Sequence, residues 1–224
     1  MENQNIENNQ LENSSVPFVN HFSKLRENPK WLVKLLILIV LGFLTKLVQI
    51  KITDQAEFFK LKGVDSSNLS KMNFDQNIWM QLLGVIPGII FNIAIVFIIF
   101  LIISKIMKSN VKGKSLLSAS LSYCIIVNVF SLAILCIQAL FGLHIPTYQL
   151  DSLNIFNPGN VYLAAFSLTN LLSAFIVGIV LYATSHLSKK AAIIWAIIAL
   201  IVTILLTMGG AWFTDLSINM MNNA

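Results

Sequence analysis

The stretch FSKLRENPKWLVKLLILIVLGFLTKLVQI, residues 22–50, changes character at its middle. Up to Asn28-Pro29 it is charged. From Trp31 to Ile50 it is apolar, with Lys34 and Lys46 as its charges. A run of about 18 or more residues with so few charges has the length and composition of a membrane helix. Four more such runs follow, at about 78–103, 116–143, 161–187 and 191–213. Each is long enough to cross a hydrocarbon core of about 30 Å, and the longer ones are expected to tilt. The expected fold is therefore all-α: a polytopic bundle of five transmembrane helices.

Composition agrees. The chain has 224 residues, 56% of them hydrophobic and 11% charged, with mean hydropathy +0.77. Soluble domains carry about a quarter charged residues, and a surface this poor in charge cannot be dissolved in water. The first 14 residues are polar and repetitive and are expected to form a disordered cytoplasmic tail. No cleavable leader is evident, because that segment lacks a short apolar core before a small-residue site. Residues 15–213 form the membrane domain, and 214–224 are expected as an extracytoplasmic tail. Cys124 and Cys136 lie twelve residues apart on one predicted helix, roughly 18 Å along its axis. That is beyond disulfide reach.

Phe18, Phe22 and Leu25 recur at helical spacing, with Lys24 and Arg26 off that stripe. This is the pattern of a short amphipathic helix lying in the interface. A second short helix is expected in the 51–77 connection, around DQAEFFKLK. Lysines and arginines favour the cytoplasmic side of membrane proteins. With the N-terminus inside, that side holds Lys24, Arg26, Lys30, Lys105, Lys108, Lys112, Lys114, Lys189 and Lys190, nine in all; the other holds Lys51, Lys60, Lys62 and Lys71, four in all. The N-terminus is thus expected in the cytoplasm and the C-terminus outside. The net charge of +5 is topological and does not point to nucleic acid. Lys34 and Lys46 lie near the ends of the first run, where long amines can reach the headgroups.

Between Ile78 and Phe213 the predicted helix centres contain no Asp, Glu, Lys, Arg or His. His144 and His186 fall at helix ends, and His21 precedes the first helix. A proton-coupled carrier would need a buried carboxylate or histidine. An intramembrane metalloprotease would need His-Glu-x-x-His spacing, and a nucleotide enzyme a glycine-rich loop with Lys-Ser/Thr. None of these is present, so no catalytic residue, metal ligand or cofactor is expected.

Amides and small residues remain. Asn92, Asn128, Gln138 and Asn170 lie within predicted helices. Such groups bond across helices in a membrane, either gluing this bundle together or lining a cleft that meets a partner's helix. Gly84 and Gly88 stand at small-x-x-x-small spacing, a pattern that lets another helix approach closely, and Pro87 between them favours a kink. Together these six residues are the candidate helix contacts. Two Asn-Pro pairs, Asn28-Pro29 and Asn157-Pro158, are expected to open the first and fourth helices, since Asn suits an N-cap and Pro the first helical position.

The ordered set resembles the YIP-domain family, the Ypt/Rab-interacting-type membrane proteins, in its bacterial branch. The elements are FSKLRENPKW, a glycine-bearing second helix, the basic turn SKIMKSNVKGKSLLSASLSYC, then LNIFNPGN, and the tight basic turn SHLSKKAA. The family's frequent proline after the tyrosine of the third helix is missing; here Tyr123 leads into Cys, Ile, Ile, Val and Asn128. The resemblance implies five helices, a cytoplasmic N-terminus and no enzymatic activity. Eukaryotic relatives bind small GTPases, and some bacterial relatives look like accessory subunits of ABC-type exporters. The expected function is a non-enzymatic plasma-membrane scaffold or accessory protein that binds another membrane protein, such as transporter subunits, or a second copy of itself. The alternative is a small permease or channel-like transporter. The expected cytoplasmic partner surface is Lys24, Arg26, Lys105, Lys108, Lys112 and Lys114.

Overall fold

A computed structural model describes residues 14–64 and 78–222. The expected cytoplasmic tail, residues 1–14, falls almost wholly outside the described residues. Helix α1, Val19–Glu27, is the predicted amphipathic element. Lys24 and Arg26 sit in its last turn, where cations favour the helix dipole. The helix stops at Asn28, whose N–H still bonds Lys24 O at 3.0 Å. Pro29 then cannot continue the ladder. Its apolar stripe meets protein: Val19, Phe22 and Leu25 are buried in the bundle's end, while Phe18 stays exposed.

Helix α2, Leu32–Ile52, crosses to the opposite face. There the short helix α3, Gln55–Leu61, is capped by Asp54, which accepts from Glu57 N–H at 2.8 Å. The chain returns through α4, Ile78–Leu83, and α5, Val85–Ile106. The two are one apolar span of 29 residues, Ile78–Ile106, broken at Gly84. The break has a cause: Pro87 has no N–H to give to Leu83, so one rung of the helical ladder is missing. Helix α6, Gly113–Leu140, crosses again, and α7, Leu168–Ile179, comes back, ending in a π turn at Val180–Thr184. Helix α8, Lys189–Asn222, makes the last crossing.

Four of these are long and apolar enough to span a membrane, and Leu168–Thr184 is a shorter apolar helix. The protein is an all-helical, multi-pass membrane protein. Only 6% of the most apolar stretch of α8 is buried within the protein, so lipid must meet most of the rest.

Three boundaries differ from expectation. The fourth helix does not open at Asn157-Pro158. It begins at Leu168, with Ser167 as N-cap accepting from Asn170 N–H at 3.1 Å. Asn157 instead closes the 3-10 turn Leu153–Phe156, because the apolar residues that follow it are taken up by a second 3-10 turn, Leu163–Ala165. The first helix starts at Leu32, one residue from the expected Trp31, but Trp31 and not Asn28-Pro29 stands at its N-cap. Finally, α8 continues past Phe213 to Asn222, through most of the segment expected as an extracytoplasmic tail.

The core lies mainly toward the face that carries α1. Phe22, Phe100, Leu116, Ala119, Ile176 and Leu181 belong to one buried cluster. A second, around Leu38, Ile93, Leu121 and Cys124, joins α2, α5 and α6. At the opposite face Phe58 and Val64 pack on Ile218, and Lys62 bridges to Asp215 at 2.8 Å. Two glycines set the helix approaches. A Cβ on Gly42 would lie 2.5 Å from Ile89 Cδ1, and one on Gly178 would lie 3.1 Å from Ala196 Cβ.

Candidate functional site

Serine and threonine hydroxyls fasten α1 to the bundle. Thr184 Oγ1 donates to Phe22 O at 2.9 Å, Ser115 Oγ donates to Arg26 O at 2.9 Å, and Arg26 Nη1 donates to Thr184 O at 2.9 Å. The Thr184 carbonyl is free to accept because the helix ends there, at the last residue of its π turn. His21 Nε2 meets Ser122 Oγ at 3.1 Å. Packing against the bundle and the nearby Lys34 ammonium hold the His21 imidazole below its ordinary pKa. Lys34 donates to Ser118 Oγ at 2.9 Å. Its amine is therefore turned into the bundle, where sequence reasoning had it reaching out to headgroups.

The expected partner surface splits. Lys24, Lys105, Lys108, Lys112 and Lys114 are exposed on this face. Arg26 is half-buried and engaged with Thr184. The 107–112 turn is braced from below: Ser104 Oγ and Ser185 Oγ lie 2.8 Å apart, and Ser109 Oγ donates to Ser185 O at 2.5 Å.

Two of the predicted helix contacts are local fasteners. Gln138 is 1% exposed. Its Nε2 donates to Leu143 O at 3.3 Å and Tyr148 O at 2.9 Å, and its Oε1 accepts from Leu150 N–H at 3.3 Å. It thus ties α6 to the loop that follows it. Asn170 Nδ2 reaches back to Ala165 O at 2.8 Å, securing the start of α7. Sequence reasoning missed Asn154, which is fully buried and organises the same loop by accepting from Gln149 N–H and donating to Asn160 O.

The other four predicted contacts converge. Gly84, Gly88, Asn92 and Asn128 line one groove with Leu38, Gly42, Thr45, Lys46, Gln49, Val85 and Ile89. Its volume is about 260 Å³. It is the junction of α2 with α5, floored by α6. Gly84, the N-cap of α5, and Gly88 and Asn92 on it follow at four-residue steps and so share one face. A Cβ on Gly88 would meet nothing within 4 Å, and Asn92 is exposed. Asn128 Nδ2 donates to Cys124 O at 2.9 Å. Thr45 is only 9% exposed, yet its Oγ1 has no hydrogen-bond partner. Thr45 and Gly42 could not be picked out from sequence, since a threonine and a glycine in an apolar run carry no mark of the groove they line. A larger cleft of about 380 Å³, between α5, α7 and α8, is lined mostly by apolar side chains, with a Tyr123–Ser173 hydrogen bond in its wall.

Among the described residues one cluster has metal-ligating chemistry. Asp54, Glu57 and His144 bring ligand atoms within 4.8 Å of one another. His144 Nδ1 lies 2.9 Å from Glu57 Oε2, both half-exposed, and Asp54 is occupied in capping α3. An ion pair and a cap account for that arrangement without a metal.

The fold and groove define a polytopic helical membrane protein that contacts the bilayer over most of its helices. The Yip1 domain model matches residues 17–210, and the chain belongs to that family. No curated protein and no solved structure matches it.

Proposed function

We propose that the chain is a non-enzymatic scaffold or accessory protein that binds another membrane protein, with subunits of an ABC-type exporter as the first candidates. One observation carries the reading: a membrane-embedded helix face with open glycines and an exposed amide. Helix faces in lipid gain from close approach and from polar side chains that find partners, and among the described residues nothing lies within 4 Å of a Cβ on Gly88. A catalytic role would need an acid–base or metal constellation in a cavity, and the groove offers amides, a hydroxyl and one amine. The lysine distribution supports a cytoplasmic N-terminus, and the Ile-, Lys- and Asn-rich composition suits a bacterial plasma membrane.

The test is in-cell crosslinking from photoreactive side chains placed at Gly88 and at Lys108. A specific membrane-protein partner, or a second copy of this chain, is expected at Gly88. Recovery of uncrosslinked chain alone from both positions overturns the reading. Flux into liposomes holding only this protein would favour the permease alternative.

A further inference from the structure

The groove's polar groups differ in depth, and the depths constrain what can fill it. Lys46 lies six residues before the end of α2, roughly 9 Å from that end. Thr45 is one residue deeper. Asn92 stands fourteen residues from either end of the Ile78–Ile106 span, and so near mid-membrane, about 15 Å from each face of a core about 30 Å thick. Asn128 is fifteen residues into α6, at a similar depth. Lipid phosphates lie at the faces, and acyl chains carry no donor or acceptor. A lipid can therefore reach Lys46 at the mouth but cannot satisfy the amide at the bottom. A helix crossing the membrane can do both.

The charge narrows the choice further. Among the described residues Lys46 has no acidic partner; the ion pairs there are Lys62–Asp215 and Glu57–His144. A lipid phosphate can neutralise that ammonium only from the mouth, whereas a carboxylate on a crossing helix pairs with it inside the groove. Thr45 adds a buried hydroxyl with no bonding partner beside it. Gly84 and Gly88 leave room for a backbone to come close.

Resting on the scaffold reading, we infer that the groove takes a transmembrane helix of a partner protein that carries an Asp or Glu level with Lys46. The partner's carboxylate accepts from the Lys46 ammonium and from the Thr45 hydroxyl. Its backbone lies over Gly84 and Gly88. A polar side chain about two turns deeper, roughly 11 Å further in, bonds Asn92.

The test uses full-length protein in phosphatidylcholine liposomes at pH 7.5 with fluorophore-labelled oligo-leucine helices. Each helix carries a single Glu, Gln or Leu six residues from its end on the Lys46 side, and association is read by energy transfer. The Glu helix is expected to bind at least about tenfold more tightly than the Leu helix, a factor that one well-placed polar contact supplies. Lys46→Met should remove that advantage, and Gly88→Leu should reduce binding of every helix while the helical content of the protein stays unchanged. The inference is overturned if Glu binds no better than Leu or Gln, or if Lys46→Met leaves the preference intact. It is also overturned if the preference emerges only when Asp75, an acidic residue of the 51–77 connection, is replaced in Asp75→Asn, which would make that connection the counter-charge. A partner crosslinked at Gly88 whose helix has no carboxylate would sink this inference and leave the scaffold reading standing.

Discussion

Replacing Gln138 by Met tests whether a single amide holds the loop after α6. The two side chains are close in volume, so packing changes little. What is lost is the set of three hydrogen bonds to Leu143 O, Tyr148 O and Leu150 N–H. Net values run near 1 kcal/mol per bond, and two of these are long at 3.3 Å, so the expected cost is about 2–3 kcal/mol. The loss is concentrated in the loop, because each bonded group belongs to residues 143–150. Hydrogen exchange in detergent micelles reads it directly. The Leu150 amide should exchange about 30- to 140-fold faster, since about 1.4 kcal/mol is a factor of ten. Amides in the middle of α6 should not change. Gln138→Glu should be worse than Met, because it sets a buried carboxylate against two carbonyls. A Met variant whose Leu150 amide exchanges within a factor of two of the unsubstituted protein would refute the assignment.

The His21 imidazole is held below its ordinary pKa of 6.5 by desolvation and by Lys34. The undocked helix therefore binds a proton more readily than the docked one. The docking contribution is present above pH 6.5 and is lost as pH falls toward the lowered value. Exchange protection of α1, normalised for intrinsic rates, should drop between about pH 7.5 and 5 and become flat in His21→Gln. Thr184→Val keeps the shape and removes the donor to Phe22 O. It should cost about 1 kcal/mol and selectively loosen α1, seen as faster exchange in residues 19–27. Gly178→Leu should push α8 from α7 and destabilise by about 1–3 kcal/mol, whereas Gly88→Ala, with open space around it, should leave thermal stability within about 0.5 kcal/mol.

The long helices were legible because nothing interrupts their apolar runs, and α1 was legible from three residues at helical spacing. The start of the fourth helix was not. Val161, Leu163, Ala164 and Ala165 extend its apolar run, but Val161 lies in a turn and the other three in the 3-10 helix Leu163–Ala165, held through Asn154, Asn160 and Tyr162. Only the Ser167 cap marks the true start, and a lone serine near an apolar run is too common a signal to decide it. Four of the six candidate contacts share a groove, because amides and glycines exposed at helical spacing mark a face. Which helix lies across that face is a tertiary fact. Gly42 and Gly178 matter only through Ile89 and Ala196, residues distant in the chain. Gln138 and Asn170 carried the same chemical signal and turned out to bond their own flanking loops.

The brevity of the fourth crossing has a consequence for the surrounding lipid. The twelve residues of α7 and the five of its π turn span roughly 25 Å, against a hydrocarbon core of about 30 Å. On that flank the protein offers the bilayer a wall about 5 Å too low. Lipids beside α7 are expected to thin, while the apolar run of α8, about 191–213 and roughly 34 Å long, fits the core with a small tilt and its last turns pack on α3. Such mismatch costs fractions of a kcal/mol per Å. A bilayer that thins toward this flank is what α7 asks of its surroundings.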